Sequence, residues 1–317
     1  MSSKTSTLFA LSARSFTLVL LLLPAFGRAS AVVNSGSSAD AAGLLSTVNA
    51  FRTNVSLGGA NNGSGGSFPT GRREVNWDGA ASDPFQFDAS KPAPNPVHSP
   101  DTFFNNQVPR GLITTTPDGA GVFLSGRSGS TNGDGSANTD VRFNTSNATY
   151  ADQFKVFSAQ RLFAVDSGLL LDVTFRVAGS PTTDATVNGF GSVFADVDLP
   201  GLTKMDFYGV GNILLGSYDV PVFSQGLSFL GVTFDNGEQI ERVRITLGNT
   251  PLLANAGITE TPNLDVVVMD DFIYGEPIAK GDFAPVPEPS TYAFFGVGAL
   301  GLVMAIRERR RRSKFAA

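Results

Sequence analysis

Apolar and polar residues alternate along the middle of this chain with a period of two. Leu169, Leu171, Val173, Phe175 and Val177 are interleaved with Leu170, Asp172, Thr174 and Arg176. Val243, Ile245 and Leu247 alternate in the same way with Arg242, Arg244 and Thr246. This is the signature of strands with one buried face. Further strands are predicted over 191–198, 203–208, 212–218, 227–234 and 264–274. Turn sequences separate them: Asp166-Ser167-Gly168, Leu199-Pro200-Gly201 and Asp235-Asn236-Gly237. Only 39–51 reads as a helix, with Asp40 placed to cap its start. Many short strands and scarce helices predict an all-β fold, an antiparallel β-sandwich of jelly-roll-like form. The chain has 26 Phe, and such rings suit a core between two packed sheets. The Gly/Asn/Ser-rich 58–67 and the Pro-rich 91–100 read as loops. No internal repeat and no break into two domains is visible.

The two ends depart from this pattern. Lys4 and Arg14 precede an apolar run over 16–23, and Ala29-Ser30-Ala31 follows as a small-x-small site. That order predicts a secretory signal peptide over 1–31. At the other end, Pro287-Glu288-Pro289 precedes an apolar stretch over 292–306. Arg307, Arg309, Arg310, Arg311 and Arg312 follow it. The prolines hold Glu288 in an extended, accessible segment that a protease can read. The apolar stretch is short for a stable span, which takes about 20 residues, and the arginines behind it favour a cytoplasmic end. A plain single-pass anchor has the same parts. The ordered triplet resembles the PEP-CTERM sorting signal, which exosortase-bearing bacteria use to place proteins at the cell surface. The resemblance implies an exosortase-type sorting protease as partner and a transient membrane anchor before processing. It divides the chain into a leader (1–31), a single β-domain (32–285) and a sorting tail with a short transmembrane helix (286–317).

A second resemblance lies in the middle. The blocks 72–79, 189–198, 227–232, 242–245 and 270–274 look like those of exported all-β bacterial proteins that often carry this tail. It spans roughly 48–276 and implies fold and location, with no established activity.

Charge narrows the partners. The chain has 23 Lys+Arg and 28 Asp+Glu, net -5. Setting aside three basic residues in the leader, and six basic and two acidic residues in the tail, leaves the middle with 14 basic and 26 acidic, net -12. Such a domain is unsuited to nucleic acid or anionic lipid, and suited to divalent cations and neutral sugars. There is no Cys, so disulfides, thiol catalysis and thiolate metal sites are excluded.

Candidate chemistry is sparse. His98 is the only histidine, in a Pro-rich surface loop, and no G-x-S-x-G is present. A Ser/His/Asp hydrolase and a multi-His metal site are therefore not expected. Two carboxylates suffice for a glycosidase, but no dense acidic strand motif marks a pair. Asp196 and Asp198 share a strand face before Pro200, where solvated turn carboxylates are expected. No catalytic residue is assigned. Asn132, Asp134, Ser136, Asn138 and Asp140 place oxygen at alternate positions of a Gly-containing loop, which suits either structural calcium or a plain polar loop. Position 143, where an EF-hand needs Glu, is Phe. Asp270-Asp271 lies near the end of the last predicted strand. Carbohydrate-binding jelly rolls, which the predicted fold resembles, often hold structural calcium with an Asp there, and this implies Asp271 as a ligand. Adjacent strand residues face opposite ways, so one of the pair at most should enter a given site. Asp271 pairing with Arg242 or Arg244 is the other expectation. Trp77, the only tryptophan, is either a glycan platform or a core residue.

These features describe an exported, non-enzymatic surface or matrix protein with a structural, adhesive or weak glycan-binding role toward surface polysaccharide. A secreted carbohydrate-active hydrolase using paired carboxylates is the rival.

Overall fold

A computed structural model of the chain describes residues 30–78, 86–87, 97–126, 141–159, 161–165, 167–235, 237–255 and 261–281. The leader, the sorting tail and the loop 132–140 lie outside these. In chain order the elements are β1 (Ala31–Ser38), α1 (Ala41–Val55), β2 (Arg72–Val75), β3 (Gln86–Phe87), β4 (Val97–Ser99), α2 (Phe103–Asn106), β5 (Leu112–Thr115), β6 (Val122–Leu124), α3 (Tyr150–Gln153), β7 (Phe163–Val165), β8 (Leu170–Arg176), β9 (Asp184–Thr186), β10 (Gly189–Val197), β11 (Lys204–Gly209), β12 (Ile213–Asp219), β13 (Phe223–Phe234), β14 (Ile240–Thr246), β15 (Val268–Gly275) and β16 (Ile278–Ala279).

With 42% strand and 12% helix the fold is mostly β. Two antiparallel sheets carry it, one of them curled into a half-barrel. The nine-stranded sheet runs β1-β13-β10-β15-β7-β6-β4-β3, with β2 also on β15. The seven-stranded sheet runs β12-β11-β14-β8-β9-β16, with β5 also on β8. The period-two segments are β8 and β14, paired with each other so that Val243 faces Val173 and Ile245 faces Leu171. Their apolar side chains meet Phe190, Phe194, Phe272 and Tyr274 of the larger sheet in the core between the sheets.

A second core lies on the other face of the larger sheet, and it explains why β10 and β15 are buried along their whole length. The helix α1 starts at Asp40, whose side chain accepts the Gly43 N–H at 2.9 Å. It lays Leu44, Val48, Phe51 and Val55 on the sheet, joined by Phe143, Tyr150 and Phe154. On β10, Phe190 and Phe194 point to the inter-sheet core while Val193 and Ala195 point under the helix.

Three expectations are corrected. His98 is not in a loop: it is half-buried on β4, its ring 6.2 Å from that of Phe123. Asp172, not Asp271, pairs with Arg242 and Arg244, at 2.9 and 2.6 Å, because β8 is the neighbour of β14 in the sheet. Asp196 is not a solvated turn residue: it is 1% exposed.

Candidate functional site

Strand β15 carries an irregularity that gathers chemistry. Ser192 of β10 pairs with Phe272 and Phe194 pairs with Met269, so Val193 alone faces both Asp270 and Asp271. This is a β-bulge, and it cancels the alternation that should send adjacent side chains apart. Both carboxylates reach one hydroxyl, that of Ser158. Asp270 Oδ1 is 3.1 Å from Ser158 Oγ and Asp271 Oδ1 is 2.7 Å away. Asp78, just past β2, adds a third carboxylate at 3.1 Å. Backbone N–H groups hold the cluster in place: Phe157 donates to Asp270, and Arg161 donates to Asp78 at 2.9 Å.

Three carboxylates cannot share one hydroxyl proton, so the cluster carries protons of its own. Burial pushes Asp270 well above the usual carboxylate range, and the charge of Asp271 adds to that. Burial likewise raises Asp271 to about 6. Hydrogen bonds from Asp270 and Ser158 oppose that rise, and the charges of Asp78 and Glu74 reinforce it.

Asp271 also lines a cleft of about 580 Å³, together with Ala41 and Leu45 at the start of α1, Asn76, Arg110 and Glu74. Glu74 lies opposite Ile273 on the neighbouring strand β2. Burial alone would raise Glu74, but hydrogen bonds and charges from Arg52 and Arg72 outweigh it and hold the group below its ordinary value. The cleft thus has one carboxylate held low and one held high, a separation that acid–base sites use. Both Glu74 oxygens, however, are engaged by guanidinium groups: Arg52 Nη2 at 2.7 Å from Oε2, and Arg72 Nε at 2.6 Å from Oε1.

Of the residues singled out in the sequence, Asp271 is brought into this site. Trp77 is not on the surface: it is 1% exposed, and its ring packs against Phe104 and Phe163 with centroids 4.7 and 4.4 Å apart. A buried ring cannot serve as a glycan platform. From that block it is the neighbouring Asp78 whose side chain reaches the Ser158 cluster. Asn132, Asp134, Ser136, Asn138 and Asp140 lie outside the described residues, as do Pro287, Glu288, Pro289 and the arginines from Arg307 to Arg312. Among the described residues no group of three or more His, Asp or Glu side chains is arranged to hold a metal ion, and no helix is long and apolar enough to cross a membrane. Sequence reasoning missed Asp78, Ser158 and Glu74. The N-W-D-G block was its one visible signal for Asp78, and Ser158 carried none.

Stability should rise on mild acidification. Asp270, Asp271, Asp196 and Asp265 have folded-state pKa values above the ordinary 3.8, with Asp196 near 7 and Asp265 and Asp271 near 6. Between about pH 7 and pH 4 the folded chain therefore binds more protons than the unfolded chain, and ΔG of unfolding increases as pH falls. Below that window Asp172 and Glu74, held low by arginines, lose their contribution. Calorimetry should find the melting temperature higher at pH 5 than at pH 8. The reverse order would contradict the burial of these carboxylates. D270N should flatten the slope.

Comparison with protein families matches the PEP-CTERM protein-sorting motif to residues 285–311. The chain therefore carries a PEP-CTERM motif, consistent with an exosortase substrate that is exported and sorted through its C-terminus. Comparison with curated proteins found no match, and comparison with solved structures found none either.

Proposed function

We propose that the β-domain is a non-enzymatic component of the cell surface or extracellular matrix, with an adhesive or structural role and weak glycan binding. The observation that carries this reading is the order of parts: one all-β domain followed directly by the sorting motif at 285–311. The precursor is membrane-anchored through its tail, and cleavage near Pro-Glu-Pro leaves the domain outside the cell. The jelly-roll-like form belongs to the same reading. It is supported by the way the chain passes between sheets from β9 to β10 to β11, and again from β12 through β15.

With Trp77 buried, glycan contact falls to the polar cleft beside α1. Arg110, Asn76 and Asp271 offer donors and acceptors there without a stacking platform, which suits weak binding. The protein should be retarded on immobilised polysaccharide extracted from the host surface, and N76A with R110A should abolish the retardation. Passage without delay would remove the glycan role. The rival, a carbohydrate-active hydrolase, is favoured by one observation: Asp271 and Glu74 share the cleft with pKa values pushed apart. The engagement of both Glu74 oxygens by Arg52 and Arg72 speaks against it, since a nucleophile or base needs a free oxygen. Reducing ends released from the same polysaccharide, and lost in D271N, would decide for the hydrolase.

Structural calcium at Asp271 belongs to the proposal as an exchange: above about pH 6 the cation takes the place of the proton that leaves Asp271. Millimolar calcium should then raise the melting temperature at pH 8 and leave it unchanged at pH 5, and D271N should remove the rise.

A further inference from the structure

The far end of β10 holds a second group of carboxylates, unrelated to the cleft. Ala195 pairs with Leu227 and Val197 with Phe223, so β13 bulges opposite Asp196. Asp196 takes φ 64 there and Gln225 takes φ 54. The Gln225 N–H donates to Asp196 Oδ1 at 2.6 Å. Asp196 Oδ2 is buried and has no hydrogen-bond partner among the described residues. Asp198 Oδ1, two residues on, is also buried without a partner among the described residues. Asp265, fully buried just before β15, accepts the N–H groups of Asp198 at 3.0 Å and Leu199 at 3.3 Å, so its oxygens are engaged.

A buried ionised oxygen without a donor is costly, and native structures rarely leave one. Here two unpartnered carboxylate oxygens occur on residues two positions apart, beside the Asp265 carboxylate. Among the described residues Lys155 is a nearby cation, and its ammonium donates to the Asp152 carbonyl oxygen at 2.5 Å. What fits two such oxygens is a hard divalent cation. Calcium accepts about six to eight oxygen ligands in loose geometry and takes carbonyls and water beside carboxylates. Two carboxylates then suffice, in keeping with the lack of any three-ligand group among the described residues. Magnesium demands a tighter octahedron than a bulge edge provides.

We infer that Asp196 and Asp198 form a calcium site at the end of β10, with Asp265 supplying charge and holding the Asp198 backbone.

The test separates this site from the Ser158 cluster. Calcium chloride is titrated calorimetrically into the full-length D271N chain in detergent at pH 8. One binding equivalent should disappear when D196N is added, and also when D198N is added. Magnesium chloride at the same concentration should not compete. Asn tolerates a left-handed backbone, so D196N keeps the bulge. Without calcium, D196N should melt higher than the unsubstituted chain at pH 8, and millimolar calcium should reverse that order. If D196N does not fold, the half-buried D198N decides alone. Calcium binding that is unchanged by these substitutions, or that is already absent in D271N, overturns the Asp196 site. Absence in D271N would leave the Asp271 reading standing.

Discussion

Arg73→Ala is expected to destabilise the domain by about 3–5 kcal/mol, the usual cost of breaking a buried ion pair. The Arg73 and Glu276 side chains are 0% and 1% exposed, with Arg73 Nη2 2.6 Å from Oε1 and Nε 2.7 Å from Oε2. The same guanidinium donates to the carbonyl oxygens of Gly63, Gly65, Gly66 and Pro109. Glu276 in turn accepts from Asn62 and from the Phe68 backbone. One side chain therefore ties the Gly-rich loop, the segment before β5 and the end of β15 together. Truncating it strands a buried carboxylate and several carbonyls. For a domain of this size the melting temperature should fall by about 10 °C. Arg73→Lys should recover little, because an ammonium cannot reproduce the bidentate fork. A loss below about 1 kcal/mol in denaturant titration would show that water reaches the pair.

Phe51→Ala should cost a similar amount, about 3–5 kcal/mol, through a cavity under α1. Phe51 is fully buried and sits over Gly191 and Gly231, which pair across β10 and β13. A Cβ on Gly231 would lie 2.6 Å from Phe51 Cδ2, so glycine here makes room for the ring. Gly231→Ala should therefore be harmful alone and much milder in the Phe51→Ala background, because the two sites couple. Additive losses would contradict this packing. If Phe51→Ala leaves stability unchanged, α1 is not part of the folded core.

The sequence revealed what depends on local period. The alternation at β8 and β14 survives as alternating burial, and Asp40 caps α1 as its position suggested. The second core was hidden because β10 looks only half apolar. Gly191 is buried there because Phe51, far away in sequence, needs the space above it, while Ser192 is buried on the other face, between the sheets. The Asp270-Asp271 bulge was hidden for a related reason. Alternation is a rule for regular ladders, and only pairing with β10 reveals the extra residue. Arg73 alternates with Arg72 and Glu74 and looks like one more surface charge, until its partner Glu276, 203 positions away, is seen. The site followed the same division: Asp271 was visible as part of an acidic pair in a predicted strand, whereas Ser158 lies in an irregular segment with no pattern to mark it.

The central claim is that this β-domain is delivered outside the cell and cut from its C-terminal tail. The match at 285–311 carries it. The most direct measurement is mass spectrometry of the protein recovered from the surface of its native host. Peptides covering 32–281 should be present, and those from Tyr292 onward should be absent. An intact C-terminus through Ala317 in mature surface material would contradict sorting and leave only a plain anchor.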